Sequence, residues 1–372
     1  MVATDTGAEH ASDTDQEYMR VALALAARGR GRTSPNPVVG CVVVTPEGVI
    51  VGAGYHERAG GPHAEIRALG RAGSRAFGAT LYCTLEPCAH HGRTGPCVEA
   101  IVQSGVRRVV GAVMDPNPLV AGRGFGYLRA HGVAVTEGVR EVEAAALNAA
   151  FFTAIARGRP HVTLKIATSL DCRVAARAGA RTALTCPEAN RRVHLLRAEV
   201  DAIAVGSETL IVDDPSLTVR EVYRARPSVR VVFDRRLRTP PTARLLTTLD
   251  HGPVWVCTTE VARDAQPARV EALTAAGAEV VVTPEGDLAE VFRELGRREL
   301  RSLLLEGGPA LQAAAWRARL VDRLLVLVAP RILGPAGVPW SMPADVDLAG
   351  LVRRVEPVGP DVLLEGDVHW TH

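Results

Sequence analysis

The hydrophobic and polar positions of the first 150 residues follow patterns typical of alternating helices and strands. Apolar residues at helical spacing, among them Met19 and Leu23, predict a helix over 15–29. Apolar runs at 38–44 and 49–55 flank a Pro-Glu-Gly turn and predict a β-hairpin. The same signals continue with a helix from about His63, a strand over 79–87, a helix over 96–105, a strand over 107–115 and a helix over 124–132. This order predicts a three-layer α/β/α domain.

A second set of elements follows a linker at 157–160. The pattern there predicts a strand over 161–168, a helix over 186–199, a strand over 201–206 and a polar loop over 209–220. Apolar runs then alternate with helical stretches, at 230–234, 254–258, 279–283 and 302–308. The last apolar runs, near 321–330 and 362–370, predict an antiparallel pair of strands. The second half of the chain is therefore also expected to be α/β.

The length of the chain agrees with this division, because 372 residues exceed one average domain. We predict a flexible N-terminal tail over 1–14, a first domain over 15–155 and a second domain over 160–372. The tail is acidic and rich in small residues, without the basic and apolar regions of a signal peptide. The sequence thus predicts a cytoplasmic protein.

Charge and composition narrow the classes of partner. The net charge is +2, aromatic residues make up 4% of the chain, and no basic strip with interleaved aromatics is present. Nucleic acid and anionic membranes are therefore not expected as partners, and no apolar run approaches the roughly 18 residues of a membrane span. A small-molecule substrate and a homo-oligomer, a dimer or a tetramer, are expected instead.

Lysine is almost absent from the chain. Lysine and arginine together number 43, and Lys165 is the only lysine. Lysine is a compact point donor with an adjustable pKa, whereas arginine is a planar fork that stays charged. One interpretation is chance survival, and the other is that position 165 accepts an ammonium group and rejects a guanidinium.

Soft metal ligands are concentrated in the first domain. His63 opens a helix, Cys88 ends a strand and Cys97 lies in the first turn of the next helix, so three ligands suited to Zn²⁺ leave the fourth position for water. Glu65, two residues after the histidine, is suited to carry the proton of that water. Two alternatives stay open: a structural zinc site completed by one of two nearby histidines, His90 and His91, and buried cysteines without metal.

The motif set His-Ala-Glu, Pro-Cys and a second cysteine resembles the zinc-dependent cytidine and nucleobase deaminases. Those enzymes usually have Pro-Cys-x-x-Cys, whereas eight residues separate Cys88 from Cys97 here. With TSPNPVVG, GYH, TLEPCAHHGRTGPC and DPNPLVAGRG, the first domain is similar to one branch, the deaminase domain of a bifunctional riboflavin-biosynthesis family. The resemblance implies zinc on His63, Cys88 and Cys97 and a proton shuttle at Glu65.

The same resemblance implies residues that contact the substrate. Asn36 and His56 would contact the pyrimidine, and Arg93 would bind the phosphate, an interaction suited to a planar guanidinium. Members of the family deaminate 2,5-diamino-6-ribosylamino-4(3H)-pyrimidinone 5′-phosphate and then reduce its ribose to ribitol with NADPH. Cys41 and Cys83, which lie inside apolar strands, are expected to be core residues.

The second domain resembles the reductase domain of that family, which has a dihydrofolate-reductase-like fold. The resemblance is carried by LKIATSLDCRVA, LLRAEVDAIAVGSETLIVDDPSLTVR and LLLEGGPAL. It implies that Lys165 is catalytic and polarises the sugar carbonyl for hydride attack. The implied substrate residues are Arg197, Leu217, Arg220 and Glu306, and the implied NADPH residues are Ala167, Thr209, Asp213, Gly307 and Gly308.

Two departures from the family pattern lie in this domain. Cys172 stands where the family has glycine, so a positive φ there would be strained. Arg181 and Ala183 stand where the family has serine and tryptophan near substrate and cofactor. They leave open the alternative of an active deaminase joined to a catalytically altered or non-catalytic reductase-like domain.

Overall fold

The computed structural model describes residues 12–89, 95–118, 120–340 and 351–370. The chain divides into two compact units, Met1–Arg157 and Gly158–His372. In the described ranges, no helix is long and apolar enough to cross a membrane. Both units have the α/β architecture that the sequence predicts.

The first unit is built around one five-stranded sheet. Its described elements are α1 (Asp13–Ala27), β1 (Gly40–Val44), β2 (Ile50–Tyr55), α2 (Ala64–Ala72), β3 (Thr80–Cys83), α3 (Cys97–Gln103), β4 (Arg108–Gly111), α4 (Arg123–Ala130), β5 (Ala134–Thr136), α5 (Glu141–Leu147) and α6 (Ala149–Arg157). The strand order is β2-β1-β3-β4-β5. Strands β2 and β3 run antiparallel to β1, and β3, β4 and β5 are parallel to one another.

Helices cover both faces of this sheet. On one face, side chains of β1 and β3 such as Cys41 and Leu81 pack against α2, α3 and α4. On the other face, Val42 and Tyr82 pack against α1 and α5. The alternation follows from the two-residue period of a strand, and it produces the predicted three layers. Cys41 and Cys83 are fully buried, as expected for core residues.

Two glycines of the hairpin allow the helices to approach the sheet closely. A Cβ atom at Gly40 would lie 2.0 Å from the backbone oxygen of Ala22 in α1. A Cβ atom at Gly52 would lie 2.1 Å from the backbone oxygen of Ala68 in α2. Any larger residue would push one helix away from the hairpin.

The predicted N-terminal tail, residues 1–14, overlaps the start of helix α1. Ser12 caps α1, its hydroxyl accepting a hydrogen bond from Asp15 N while the Asp15 carboxylate accepts one from Ser12 N. A capping box of this kind is worth about 1 kcal/mol, so the helix begins at Asp13. Residues 1–11 of the predicted tail lie outside the described residues.

The second unit is built around a nine-stranded sheet. Its described elements are β6 (His161–Ser169), β7 (Arg173–Ala175), α7 (Pro187–Glu199), β8 (Ala202–Gly206), α8 (Ser207–Asp213), β9 (Val229–Phe233), β10 (Val254–Thr259), α9 (Glu260–Ala265), α10 (Pro267–Ala275), β11 (Ala278–Thr283), α11 (Leu288–Arg297), β12 (Ser302–Gly307), α12 (Pro309–Arg317), β13 (Arg323–Ala329), β14 (Val338–Pro339), β15 (Val352–Val358) and β16 (Asp361–Asp367). The strand order is β11-β10-β9-β8-β12-β6-β13-β16-β15, and β7 pairs with β14.

Parallel pairing dominates this sheet from β11 to β13. Strand β16 runs antiparallel to β13, so the predicted antiparallel pair at the end of the chain is confirmed. The polar loop predicted over 209–220 is wrong at its start, because α8 continues to Asp213. Cys172 has a φ of +56°, which is the positive value anticipated at this former glycine position.

Candidate active sites

Three potential metal ligands lie at element boundaries of the first unit. His63 is the N-cap of α2, Cys97 is the first residue of α3, and Cys88 follows β3. Pro96 precedes α3 as its N-cap and fixes where that helix begins. Local start and stop signals therefore bring residues from three separate segments to one edge of the sheet.

The ligand atoms of these residues form a compact cluster. His63 Nδ1 lies 3.2 Å from Cys97 Sγ and 3.5 Å from Cys88 Sγ, and all three ligand atoms lie within 4.8 Å of one another. Ligand atoms of a tetrahedral zinc site are roughly 3.5 Å apart, given the usual Zn–S and Zn–N bond lengths. The donor set and its spacing therefore fit Zn²⁺, and it is the one such cluster found among the described residues.

The pKa values of the two thiols in the cluster are shifted in opposite directions. A hydrogen bond from Cys97 and the positive charge of His63 lower the pKa of Cys88. The hydrogen bond to Cys88 and burial raise the pKa of Cys97. The hydrogen bond with Cys88 also raises the pKa of His63. A bound divalent cation requires both sulfurs as thiolates, so it would take the place of the proton in the Cys88–Cys97 hydrogen bond.

Glu65 lies beside the cluster in the first turn of α2. Its side chain is 3% exposed, and Oε2 has no hydrogen-bond partner among the described residues. Burial raises the pKa of Glu65 to about 7, although the charge of His63 opposes the shift. An unpaired buried carboxylate oxygen is costly unless a ligand or water uses it.

A cavity of about 240 Å³ opens in front of these residues. His56 Nδ1 lies 3.2 Å from Pro62 O and donates to it, because a carbonyl oxygen only accepts, and burial lowers the pKa of His56, which favours the neutral ring. His56 Nε2 then accepts from Asn36 Nδ2, 3.3 Å away. Asn36 and His56 both line the cavity. Further lining residues include Asp115, Asn117, Val120 and Phe151.

Asn148 supports this wall, although no sequence motif indicates it. It is buried between α5 and α6, accepts from Val38 N and donates to Val38 O, both at 2.9 Å. The side-chain amide thus satisfies both backbone groups of Val38 as a neighbouring strand would. The segment that carries Asn36 and Val39 into the cavity is held by these two bonds.

Arg93, a predicted substrate residue of the first unit, lies outside the described residues. His90 and His91, on which the structural-zinc alternative depends, lie outside them too. The phosphate-binding role of Arg93 stays a prediction.

In the second unit, Lys165 lies beside an ion pair of two other predicted site residues. Arg197 Nε and Nη2 each donate to a different oxygen of Glu306, at 2.6 Å. Burial would raise the pKa of Glu306, but the Arg197 guanidinium outweighs it and the pKa lies below the ordinary value. Burial lowers the pKa of Lys165, and the Glu306 carboxylate opposes that shift.

Strand pairing explains why the lysine and the carboxylate meet. Leu305 of β12 is paired in register with Leu164 of β6, and both side chains enter the same core cluster. The next residues, Glu306 and Lys165, therefore share the opposite face. Ala167 lies on that face too, two residues further along β6.

The predicted cofactor residues gather at the ends of β8 and β12. Gly307 has a φ of +145°, and Gly308 is the N-cap of α12. A Cβ atom at Gly308 would lie 2.7 Å from Thr209 Oγ1 in α8, so a larger residue would require the threonine side chain to move. Asp213 ends α8, where burial raises its pKa and the charge of Arg181 opposes the shift.

Leu217 and Arg220 are the other two predicted substrate residues of the second unit. The Leu217 side chain is 3% exposed and packs with Ile203 and Val205, so only its backbone could meet a ligand. Arg220 is exposed, and its backbone N–H donates to His194 Nδ1 at 3.2 Å. His194 is a buried neighbour of Glu306 that was missed from the sequence.

Comparison with known proteins identifies the family. Residues 160–364 match the RibD C-terminal domain, and residues 12–113 match the cytidine and deoxycytidylate deaminase zinc-binding region. The riboflavin biosynthesis protein RibD of Aquifex aeolicus (strain VF5) is 42% identical over 355 residues, which cover 95% of this chain and 98% of that protein. The chain belongs to the RibD family. The Escherichia coli (strain K12) RibD protein is also 42% identical, over 94% of this chain and 98% of its own length.

Solved structures of the RibD family agree with this assignment. Acinetobacter baumannii RibD superposes with a TM-score of 0.84 at 38% identity, covering 96% of this chain and 99% of that one. A Thermotoga maritima diaminohydroxyphosphoribosylaminopyrimidine deaminase/5-amino-6-(5-phosphoribosylamino)uracil reductase gives 0.83 at 31% identity, with 96% and 99% covered.

The resemblance read from the motifs is therefore confirmed. The chain is a bifunctional deaminase and reductase of riboflavin biosynthesis, with a zinc-binding deaminase region followed by a reductase domain. The alternative of a non-catalytic second domain is not favoured, because the match to the RibD C-terminal domain spans nearly the whole second unit.

Proposed function

We propose that the first unit deaminates 2,5-diamino-6-ribosylamino-4(3H)-pyrimidinone 5′-phosphate and that the second unit reduces the ribosyl group of the product with NADPH. One observation carries the proposal for the first step. The carboxylate oxygen of Glu65 that has no partner among the described residues lies beside the His63, Cys88 and Cys97 cluster, at the wall of a cavity.

In the deamination, His63, Cys88 and Cys97 would hold the metal. A bound zinc ion supplies hydroxide at neutral pH, because it lowers the pKa of water to about 7. Glu65 takes the proton of the attacking water at Oε2 and passes it to the ring nitrogen. A second proton leaves with the amino group as ammonia, and a carbonyl remains on the ring. Asn36 and His56 orient the pyrimidine.

In the reduction, the ammonium group of Lys165 gives its proton to the ring oxygen of the ribose as the N-glycoside opens to an iminium at C1′. The C1′=N bond, rather than a free sugar carbonyl, then accepts the hydride of NADPH at carbon, which leaves the ribityl chain attached to nitrogen. Arg197 and Glu306 bind the substrate and hold Lys165 in place. NADPH contacts Gly307, Gly308, Thr209, Asp213 and Ala167. The position of Gly308 as the N-cap of α12 supports this assignment, because a helix N-terminus favours a phosphate.

A two-step assay on the purified protein tests both halves of the proposal. The metal content is measured first, and ammonia release is then followed with and without NADPH. We expect one zinc per chain, ammonia release in both conditions, and NADPH oxidation only after deamination. Ammonia release without any bound metal would contradict the first step, and absence of NADPH oxidation with the deaminated substrate would contradict the second. Arg93 as phosphate ligand, a homo-oligomer and a cytoplasmic location stay predictions.

A further inference from the structure

Glu86 is a buried carboxylate that follows β3, two residues before Cys88. Its side chain is 3% exposed, and four backbone N–H groups donate to it. Oε1 accepts from Gly124 at 2.8 Å and from Phe125 at 3.3 Å. Oε2 accepts from Gly122 at 3.0 Å and from Asp115 at 3.2 Å. An ionised carboxylate offers about four acceptor positions, so these bonds use its full capacity.

This arrangement excludes Glu86 from a direct part in the chemistry. Although the residue lines the cavity, its oxygens are already occupied by backbone donors from the chain itself. Glu65, by contrast, keeps an oxygen without a partner in the described structure. The two buried glutamates of the site therefore have different tasks.

Three of the four donors belong to the start of α4. Gly122 is the N-cap of this eight-residue helix and has no side chain to cap it. Glu86 supplies the missing acceptor from another element, and its charge also complements the positive end of the helix dipole. A Cβ atom at Gly124 would lie 2.0 Å from Pro87 O, so the helix start is in direct contact with the segment that leads to Cys88.

The bonds of Glu86 join two walls of the cavity. Leu85 and Cys88 belong to one wall, while Asp115, Asn117 and Val120 belong to the loop that precedes α4. The backbone of Glu86 is fixed as well, because its N–H donates to Val113 O at 2.9 Å. We propose that Glu86 is a positioning residue that holds the 115–122 loop against the Cys88 segment and thereby sets the width of the pyrimidine pocket.

The inference rests on the proposed deaminase function and is tested with Glu86→Gln and Glu86→Asp. In Glu86→Gln, an NH₂ group replaces one carboxylate oxygen and faces backbone N–H groups that also donate. In Glu86→Asp, the negative charge stays but the side chain is shorter. We expect Glu86→Gln to raise the KM of deamination about tenfold or more, since several charge-assisted bonds are lost. The kcat should fall less, and the effect of Glu86→Asp should be smaller. Zinc content and NADPH-dependent reduction should not change.

Hydrogen exchange and a matched variant separate positioning from general destabilisation. The amides of Asp115, Gly122, Gly124 and Phe125 should exchange faster in Glu86→Gln, with no change in the second unit. Glu141→Gln removes an exposed acidic residue from the start of α5 and should leave KM and kcat unchanged.

The inference would be overturned if Glu86→Gln kept the wild-type KM and the wild-type amide protection. It would also be overturned if the variant lost zinc and its KM did not change, so that kcat and kcat/KM fell equally. If Glu86→Gln does not fold, the KM of Glu86→Asp decides in the same way. An inactive wild-type deaminase would instead overturn the proposed function.

Discussion

Arg197 and Glu306 form a bidentate ion pair, with two nitrogen–oxygen distances of 2.6 Å, on the sheet face that carries Lys165. The side chains are 13% and 9% exposed, so solvent screens the pair only weakly. Arg197 also donates to Thr218 O at 3.0 Å. The arginine lowers the pKa of Lys165 and the glutamate raises it. The ion pair therefore tunes the pKa of the lysine that is proposed to protonate the ring oxygen of the ribose.

The first prediction concerns the pH dependence of reduction. The proposed mechanism requires protonated Lys165, so we expect kcat/KM to fall as the pH rises through the lysine pKa, which burial has lowered. Glu306→Gln removes the carboxylate that favours the charged form and should move this alkaline limb to lower pH. Arg197→Gln removes the opposing charge and should move the limb to higher pH. Limbs that do not move, or that move in the same direction, would contradict the electrostatic coupling.

Lys165→Arg tests whether the single lysine is required for its chemistry. Arginine keeps the positive charge, but its planar fork does not fit a site that places one compact donor at a sugar oxygen. We expect NADPH oxidation with the deaminated substrate to fall by roughly 10²-fold or more, a typical loss for a misplaced acid–base group. Ammonia release by the first unit of the same chain is the internal control. A wild-type rate of reduction would leave the lysine without a catalytic role.

Glu65→Gln tests the proton carrier of the deaminase. The amide has nearly the same shape but cannot accept and return a proton, so ammonia release should fall by roughly 10²–10⁴-fold. The zinc content should stay at the wild-type level, because Glu65 is not among the three clustered ligands. Glu141→Gln, an exposed change of the same chemistry, should have no effect. If Glu65→Gln turns over normally, another group must carry the proton.

The sequence could predict the zinc cluster because each ligand lies next to a local start or stop signal. His63 and Cys97 are at helix N-termini that short motifs define, and Cys88 is fixed by the preceding proline. Glu86 and Asn148 could not be predicted, because their partners are 29 to 39 and 110 residues away in sequence. Only the folded sheet brings those groups together, and although Glu86 lies within the TLEPCAHHGRTGPC motif, nothing in that motif indicates its backbone partners.

In the second unit, too, the features that depend on contacts between distant residues could not be predicted from the sequence. The glycine-rich turn at Gly307 and the lysine at 165 are indicated by the sequence, and the structure places them at the end of β12 and within β6. The polar character of the 209–220 segment predicts a loop from its first residue. Packing of Leu210 against the core around Val232 stabilises the short helix α8 there.

Cys172→Gly tests the strain at the position where the family has glycine. Cys172 has a φ of +56°, a conformation that costs a residue with a Cβ atom about 1–2 kcal/mol. Glycine removes this cost but loses more chain entropy on folding, so the free energy of unfolding should rise by about 0.5–1 kcal/mol. The midpoint of urea unfolding measures it. Cys186 has an ordinary φ of −69° and caps α7, so Cys186→Gly should lower the midpoint.

Asn148→Ala tests the support of the deaminase cavity. The change leaves the buried N–H and C=O of Val38 without their side-chain partner, and each such group costs about 1–3 kcal/mol. We expect the free energy of unfolding to fall by about 2–4 kcal/mol and the KM of deamination to rise, because Asn36 is carried by the same segment. Asn148→Asp keeps only the acceptor and should restore part of the loss at most. Asn190→Ala, at an exposed amide of α7, should change stability by less than about 0.5 kcal/mol. A normal KM in Asn148→Ala, measured on folded protein, would show that the 36–39 segment keeps its position without this residue.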